Sequence, residues 1–407
     1  MQETPPRRLP PPLIRRLAPL YIAAFFQGFV LWYPIEKLFM RHIGFSDAGI
    51  GLMIAVYSAV MLVTNAPSGI LADRWSRKGL LIVASVLLAV SSLVGGLSYG
   101  LAAYLVCASL WGIFFSIYQG TYDAIVYDTL AEDGHDTGLF DLSFGKVRIY
   151  DSLAMIAGSL IGGAVASLWG LRAPYFLTIP FSLAAIGALA AFREPGLHLA
   201  GQRVTISAHL RSTLRSVLHN RTLLPVISAL VLASVLQNTV LEFGMVWFLA
   251  LNVPAFWYGP ANAVLLGSFG TGGWLAGFSR RSGLAVAGLA TGTVVGALTL
   301  TVARNPVIVV AAQLLVAAGA IALEVHYLGE LHGALESKVR AGASSAVDTI
   351  GRALIIPMAL VFGAASRSLG VFQAAWILVG TAAALSAVML YLRVNPNREA
   401  ASATIVK

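Results

Sequence analysis

Residues 79–122 are 44 consecutive positions without a charged side chain. As a helix such a run is about 66 Å long at 1.5 Å per residue, twice the ~30 Å of hydrocarbon in a bilayer. It is therefore predicted to cross a membrane twice, turning at Ser98-Tyr99-Gly100. The same rule divides the rest of the chain. Residues 17–35, 48–72, 152–171 and 173–192 are predicted spans, the last ended by Phe192-Arg193-Glu194-Pro195, where proline bars continuation. From Thr222 to Ser279 only Glu242 is charged, and the length again requires two spans, broken around Asn252–Pro254. Residues 282–303, 305–323, Ser344–Ser366 and 368–392 complete twelve. Soluble domains carry about 25% charged residues. This chain carries 11%, with 58% hydrophobic residues, which excludes an ordinary soluble protein.

The net charge of +9 lies in short basic clusters between apolar runs, not on one stripe, so no nucleic-acid partner is expected. With the N-terminus inside, the tails and even-to-odd loops hold 21 of the Lys and Arg residues and the opposite side 5; Arg352 is intramembrane. That bias places both termini in the cytoplasm of a multi-pass protein of the cell (inner) membrane. The single cysteine, Cys107, rules out an intrachain disulfide and a thiolate metal site, and no metal or cofactor is expected. Met1 to Arg16 lacks a cleavage pattern behind a short apolar core and reads as a cytoplasmic tail. Residues 17–195 and 222–393 then form two helical halves. They are joined by a linker, 196–221, whose stretch Ser207–His219 has the spacing of an amphipathic surface helix. Residues 394–407 are a second cytoplasmic tail.

Between the second and third spans lies Gly69-Ile-Leu-Ala-Asp-Arg-Trp-Ser-Arg-Lys-Gly-Leu-Leu81. It resembles the signature loop of the major facilitator superfamily, G-x-L-A-D-R-x-G-R-K-x-x-L, departing from it only at Ser76. A weaker copy, Gly273-Trp-Leu-Ala-Gly-Phe-Ser-Arg-Arg-Ser-Gly-Leu284, lies 204 residues on, and the same offset carries Arg148 onto Arg352. The resemblance implies an all-α integral membrane fold: twelve transmembrane helices in two pseudo-symmetric six-helix bundles that alternate access to a central cavity, lined by helices 1, 4, 7 and 10. In that family Asp73, Arg74, Arg77 and Lys78 would form an inner latch. Gly69 is expected to let helix 2 approach a neighbour closely, and Ser76 to cap helix 3 in place of the motif glycine. Gly277 replaces Asp73 in the second copy, so the two gates are not chemically equivalent.

Acids inside membrane helices are expensive and suggest function. On helix 4, Gln119, Asp123 and Tyr127 recur at i, i+4, i+8, with Tyr118 and Tyr122 alongside. The Gln-Gly pair resembles the family motif R-x-x-Q-G, with Ser116 in place of the arginine. Asp128 is expected to meet Arg148 or loop cations near the cytoplasmic exit. Asn238 and Glu242 share a face of helix 7, Glu324 ends helix 10 one turn before Tyr327, and Arg352 stands one turn from Asp348. Glu36 and Lys37 are expected to pair with each other. Gly158-Ser-Leu-Ile-Gly162-Gly163 resembles the family's antiporter motif without its proline, and packing of small residues explains it fully. The aromatics Phe25, Phe26, Trp32, Tyr33, Trp111, Phe114, Phe115, Trp247, Phe248 and Trp257 are expected mainly at lipid-facing or interfacial positions.

The preferred reading is secondary active transport of a small-molecule substrate by a monomer in the lipid bilayer, in the form of proton-coupled efflux of a hydrophobic or amphipathic molecule. The alternatives are uniport or symport of a polar metabolite, and a membrane sensor or scaffold without transport. No nucleotide loop or nucleophile–base motif is present, so an enzyme is not expected. The orientation is directly testable: a reporter active only in the cytoplasm should work when fused after Glu194 and fail when fused at Arg172.

Overall fold

The computed structural model describes residues 9–134, 137–196, 223–279, 282–335 and 337–394. The expected amphipathic stretch Ser207–His219 lies outside them. Among the described residues there is no strand. The long helices are α1 (Pro11–Gly28), followed by α2 (Glu36–His42), then α3 (Asp47–Arg74), α4 (Arg77–Leu97), α5 (Leu101–Glu132), α6 (Phe140–Trp169), α7 (Ala173–Ala191), α8 (Leu224–Ala250), α9 (Ala255–Ser279), α10 (Gly283–Val302), α11 (Pro306–Gly333) and α12 (Ser337–Leu369), and last α13 (Val371–Ala374) with α14 (Trp376–Val394). Counting α1–α2 and α13–α14 as single spans, eleven described helical segments are long and apolar enough to cross a membrane. Glycine-rich α9 is the twelfth long helix.

The turns fall where the uncharged runs require them. Ser98 and Gly100 flank the break between α4 and α5, and Asn252, at φ 50°, sits between α8 and α9. Several helices outrun their apolar runs. α5 extends to Glu132, α6 starts at Phe140, and α11 continues to Gly333. Backbone hydrogen bonding continues a helix past the hydrocarbon edge, so charge marks the edge and not the helix end. The first span corrects its sequence-based limits most. It begins at Pro11, where proline is favourable in the first turn, and Leu13 and Leu17 are fully buried. It also breaks at Gly28 and resumes, after one 3-10 turn (Tyr33–Ile35), as α2.

The described residues of Met1–Gly44, Ala59–Val204 and Pro254–Ala263 gather into one compact unit, and those of Phe45–Ser58, Thr205–Val253 and Val264–Lys407 into the other. In the first, α4 packs on α5 and α7, and α1 on α6 and α7. In the second, α8 packs on α11, α12 and α14, and α10 on α11 and α14. Each unit is thus built round the first long span of its half of the sequence, α1 or α8, whose most apolar stretches are 67% and 61% buried. Each half also contributes one segment to the other unit. The start of α3 reaches α12 in the second unit, where Gly51 and Gly363 leave room for each other's backbone and the Ser366 hydroxyl donates to Asp47 at 2.6 Å. The start of α9 reaches α6 in the first unit, where Gly163 faces Gly259 and Asn262 donates to the Ser159 hydroxyl at 2.9 Å.

Two tryptophans expected at the lipid or interface belong instead to the core. Trp32 stacks on Tyr175 at 5.2 Å, meets Trp111 edge-on and donates from Nε1 to Ser92 at 3.0 Å. Trp247 donates to the Leu300 carbonyl at 3.0 Å. Each indole N–H has a partner, so the ring is buried without an orphaned donor. Phe114 and Phe248 are buried too, whereas Trp257 is exposed. The glycines of α6 serve packing: Gly158 abuts Val30, and a Cβ on Gly162 would run into the Leu31 carbonyl. Gly162→Val should therefore lower stability by about 1–3 kcal/mol through overpacking against rigid backbone. The melting temperature in detergent should fall accordingly. Gly187→Ala, where a Cβ meets nothing within 4 Å, should leave it unchanged or raised.

Candidate functional site

The basic loop 69–81 folds as a cap on the first unit. Ser76, the departure from the motif, is the N-cap of α4 and accepts from the Gly79 N–H at 2.7 Å, as its residue type suggested. Its hydroxyl also donates to Glu194 at 2.6 Å, and the second Glu194 oxygen accepts the Lys78 N–H at 3.1 Å. Lys78 Nζ donates to the carbonyls of Ala190 and Phe192, both at 2.8 Å. These carbonyls end α7, where a cation is electrostatically favoured. Arg77 is buried, pairs with Asp128 of α5 and donates to the Ala124 carbonyl at 2.7 Å. Three of the loop's polar side chains thus tie α4 to the ends of α5 and α7. Arg74 is exposed at the end of α3, and the Asp73 side chain lies outside the described ones. Gly69 corrects its expected role: a Cβ there would meet nothing within 4 Å, so no close helix approach depends on it.

In the second unit three helices bring predicted residues together. Arg352 of α12 donates from Nε to Asp348 at 2.8 Å. The same Asp348 lies close enough to interact electrostatically with the half-buried Glu324 of α11. Gly351, beside Arg352, faces Ser234 of α8, where a Cβ would stand 3.2 Å from the hydroxyl. Asn238 closes on its own helix, donating to the Ser234 carbonyl at 2.8 Å. Glu242 is half-buried one turn further along α8. Among the described side chains the cluster holds two carboxylates, Glu324 and Asp348, and one guanidinium. Excess acid in a membrane span favours a cation or a proton as the balancing charge. Further along α11, His326 shares a hydrogen bond with Ser279 at 3.1 Å and faces Glu330 at 3.5 Å.

In the first unit the predicted helix-4 residues do not converge. Asp123 and Tyr127 lie on the exposed side of α5, with Gln119 half-buried one turn before Asp123. The Asp123 carboxylate accepts the Ala124 N–H at 2.9 Å, and Tyr127 meets Phe140 edge-on at 6.0 Å. The buried side of α5 carries Tyr118 and Tyr122 instead. Tyr122 donates to Gln27 at 2.6 Å, and Gln27 donates to Ser85 at 2.8 Å and the Leu81 carbonyl at 3.1 Å. Tyr118 interacts electrostatically with Asp151 on α6. Asp151 is a buried acid that the uncharged-run rule missed, because it immediately precedes the run 152–171. The available signal was Asp151 standing one helical turn after Arg148. Beyond the break in the first span, Glu36 pairs with Lys37 at 2.5 Å, as expected, and also accepts from Tyr104 at 3.1 Å. Tyr104 in turn is 2.6 Å from the Tyr175 hydroxyl.

The sequence profile described as Major Facilitator Superfamily matches residues 17–351. Among curated proteins, Multidrug resistance protein 1 of Bacillus subtilis (strain 168) is 25% identical over 189 residues, 46% of either chain. The Multi-drug resistance efflux pump PmrA of Streptococcus pneumoniae (serotype 4, strain TIGR4) is 29% identical over 174 residues, 40% of either chain. The chain thus spans just under half the length of the curated relatives it matches. Among solved structures, the nucleoside transporter NupG superposes with a TM-score of 0.73 at 14% identity, over 93% of this chain and 98% of its own. A bacterial homologue of the human lysosomal transporter Spinster, inward-facing and occupied, gives 0.72 at 14%, over 93% and 96%. At such identities the superpositions speak for the fold alone. For the loop, removing Arg77 leaves the half-buried Asp128 without its cation. Arg77→Ala should cost about 3 kcal/mol, with much of that recovered in the double variant carrying Asp128→Asn. Thermal unfolding of the four proteins of the cycle checks this.

Proposed function

The chain belongs to the major facilitator superfamily, and from that premise we propose that it is a secondary active transporter coupling proton entry to the efflux of a hydrophobic or amphipathic small molecule. The observation that carries this reading is the cluster of Glu324, Asp348 and Arg352, with Asn238 and Glu242 on the adjoining helix. Among its described side chains it carries more acid than base, and a carboxyl that changes protonation as its surroundings change is the simplest coupling element. An excess of carboxylates also suits a cationic substrate better than an anionic one. The multidrug-resistance names of the relatives support efflux as the direction. Asp123, with Gln119 and Tyr127 on the exposed face of α5, is a second candidate for contact with substrate. Asp73, Arg74, Arg77 and Lys78 are proposed as the gate at the cytoplasmic edge, with Gly69 in the same loop. The protein is proposed to act as a monomer in the cell membrane with both termini in the cytoplasm.

The test is proton movement into sealed liposomes holding the purified protein, on adding lipophilic cations, antibiotics or sugars. A lipophilic cation should trigger proton flux, and Glu324→Gln should reduce that flux by about tenfold or more, while Asp123→Asn should mainly weaken the dependence on substrate concentration. Substrate movement without protons would replace this reading with uniport.

A further inference from the structure

The second unit carries an apolar groove of about 280 Å³ between three of its helices. The last turns of α9 line it with Leu275 and Phe278, the first half of α10 with Ala285, Gly288 and Gly292, and α11 with Leu315. α9 and α10 each close on α11 through glycines. A Cβ on Gly272 would stand 2.9 Å from the Ala318 carbonyl, and one on Gly319 would run into the Thr293 hydroxyl. Gly288 is different, since a Cβ there would meet nothing within 4 Å. Glycine inside a helix is destabilising relative to alanine, and no neighbour of Gly288 requires it. Its missing side chain leaves the groove open.

The residues lining the groove are apolar without exception. A site built for a polar or amphipathic solute sets a few polar groups among the apolar ones to fix its orientation. This groove has none along its length and suits a hydrocarbon chain. Phe278, Gly288 and Leu315 are exposed, so the groove opens on the surface of the unit. At membrane depth that surface meets acyl chains.

One end of the groove is positive. Ala285 shares the first turn of α10 with Gly283, where a Cβ would stand 4.0 Å from the guanidinium of Arg393, in the last turn of α14. Arg393 is exposed and makes no ion pair or hydrogen bond with the described residues. Ser282 caps α10, accepting the Leu284 N–H at 3.1 Å, and this helix start carries the partial positive charge of its dipole. Neither α9 nor α10 holds a charged residue to neutralise the guanidinium. A hydrocarbon groove that ends at a positive helix start and an exposed arginine is complementary to a long apolar chain with an anionic head. Basic pockets between transmembrane helices recognise acidic lipid headgroups in this way.

We propose that the groove between α9, α10 and α11 holds one anionic phospholipid of the surrounding bilayer. One acyl chain lies along Gly288 and Gly292, and the phosphate sits at the start of α10 beside Arg393. The headgroup spans the first turn of α10 and so ties that helix to the end of α14. A zwitterionic lipid fills the groove with its chain but brings an ammonium towards Arg393, which weakens its hold. The site does not depend on what the protein transports or on what drives it.

The experiment is native mass spectrometry of the purified protein in detergent, with phosphatidylglycerol or phosphatidylcholine of matched chains added. Wild-type protein should retain one phosphatidylglycerol about fivefold more tightly than phosphatidylcholine, the share of one basic residue near an acidic headgroup. Gly288→Leu, whose side chain enters the groove, should weaken retention of either lipid about tenfold, the loss of about two buried methylenes. Gly277→Leu, on α9 but outside the groove, should leave retention unchanged; a Cβ there also meets nothing within 4 Å. Arg393→Gln should hold the two lipids equally. Full retention in Gly288→Leu overturns the proposal, as does wild-type protein without a preference for phosphatidylglycerol. A preference that persists in Arg393→Gln also overturns it, and that variant answers the question even if Gly288→Leu fails to fold. A wild-type dimer that Gly288→Leu abolishes would put a second copy of the chain in place of the lipid.

Discussion

Within a bilayer every backbone N–H and C=O must find a partner inside the protein, and irregular backbone survives at membrane depth only where it is enclosed. The break in the first span shows that constraint at work. Between Gly28 and the 3-10 turn at Tyr33–Ile35 the helical ladder stops, yet the N–H groups of Phe29, Val30 and Leu31 are met by Phe26, Gly28 and Thr178. The glycines of α6 make the enclosure possible, since Gly158 and Gly162 let that helix lie directly on the broken backbone. The polar core of the first unit assembles on either side of the break. Gln27, Tyr122 and Ser85 lie before it, and Glu36, Lys37 and Tyr104 after it.

The basic loop obeys a different logic. Lys and Arg are favoured in loops at a membrane edge whatever they touch, but the structure gives most of these specific acceptors: Asp128 for Arg77, the last carbonyls of α7 for Lys78. Glu194, just beyond the end of α7, accepts from both the Ser76 hydroxyl and the Lys78 N–H. The loop therefore fastens three helices of one unit together whatever part it plays in gating. Serine in place of the motif's glycine is no defect there, because its hydroxyl supplies both a cap and a tie.

Part of the site was legible in the sequence. Arg352 with Asp348, and Glu324 as the lone acid near the end of its apolar run, follow from helical spacing and the expense of charge in hydrocarbon. Asp123 was legible as a membrane acid, but its face of α5 was not. Tyr118, Gln119, Tyr122 and Asp123 stand close together in sequence and on different sides of the helix, and only the packing of α1 and α6 picks the tyrosines for the interior. Asp151 was hidden by the method that found the spans, since a rule that ends a span at a charge cannot find charges inside one.

The sequence alone determined the class of fold, the number of crossings and where most of the turns fall, because the thickness of a bilayer converts uncharged length directly into helices. It also marked the family through thirteen residues of loop. The tertiary structure decided which residues are inside. It placed Trp32 and Trp247 in the core instead of at the lipid, left Gly69 in open space, broke the first span at Gly28 and set the Asp151 carboxyl against the break. Hydropathy treats all apolar surroundings alike, whereas burial in protein and burial in lipid differ in what polar partners they supply, and that difference exists only once the helices are packed.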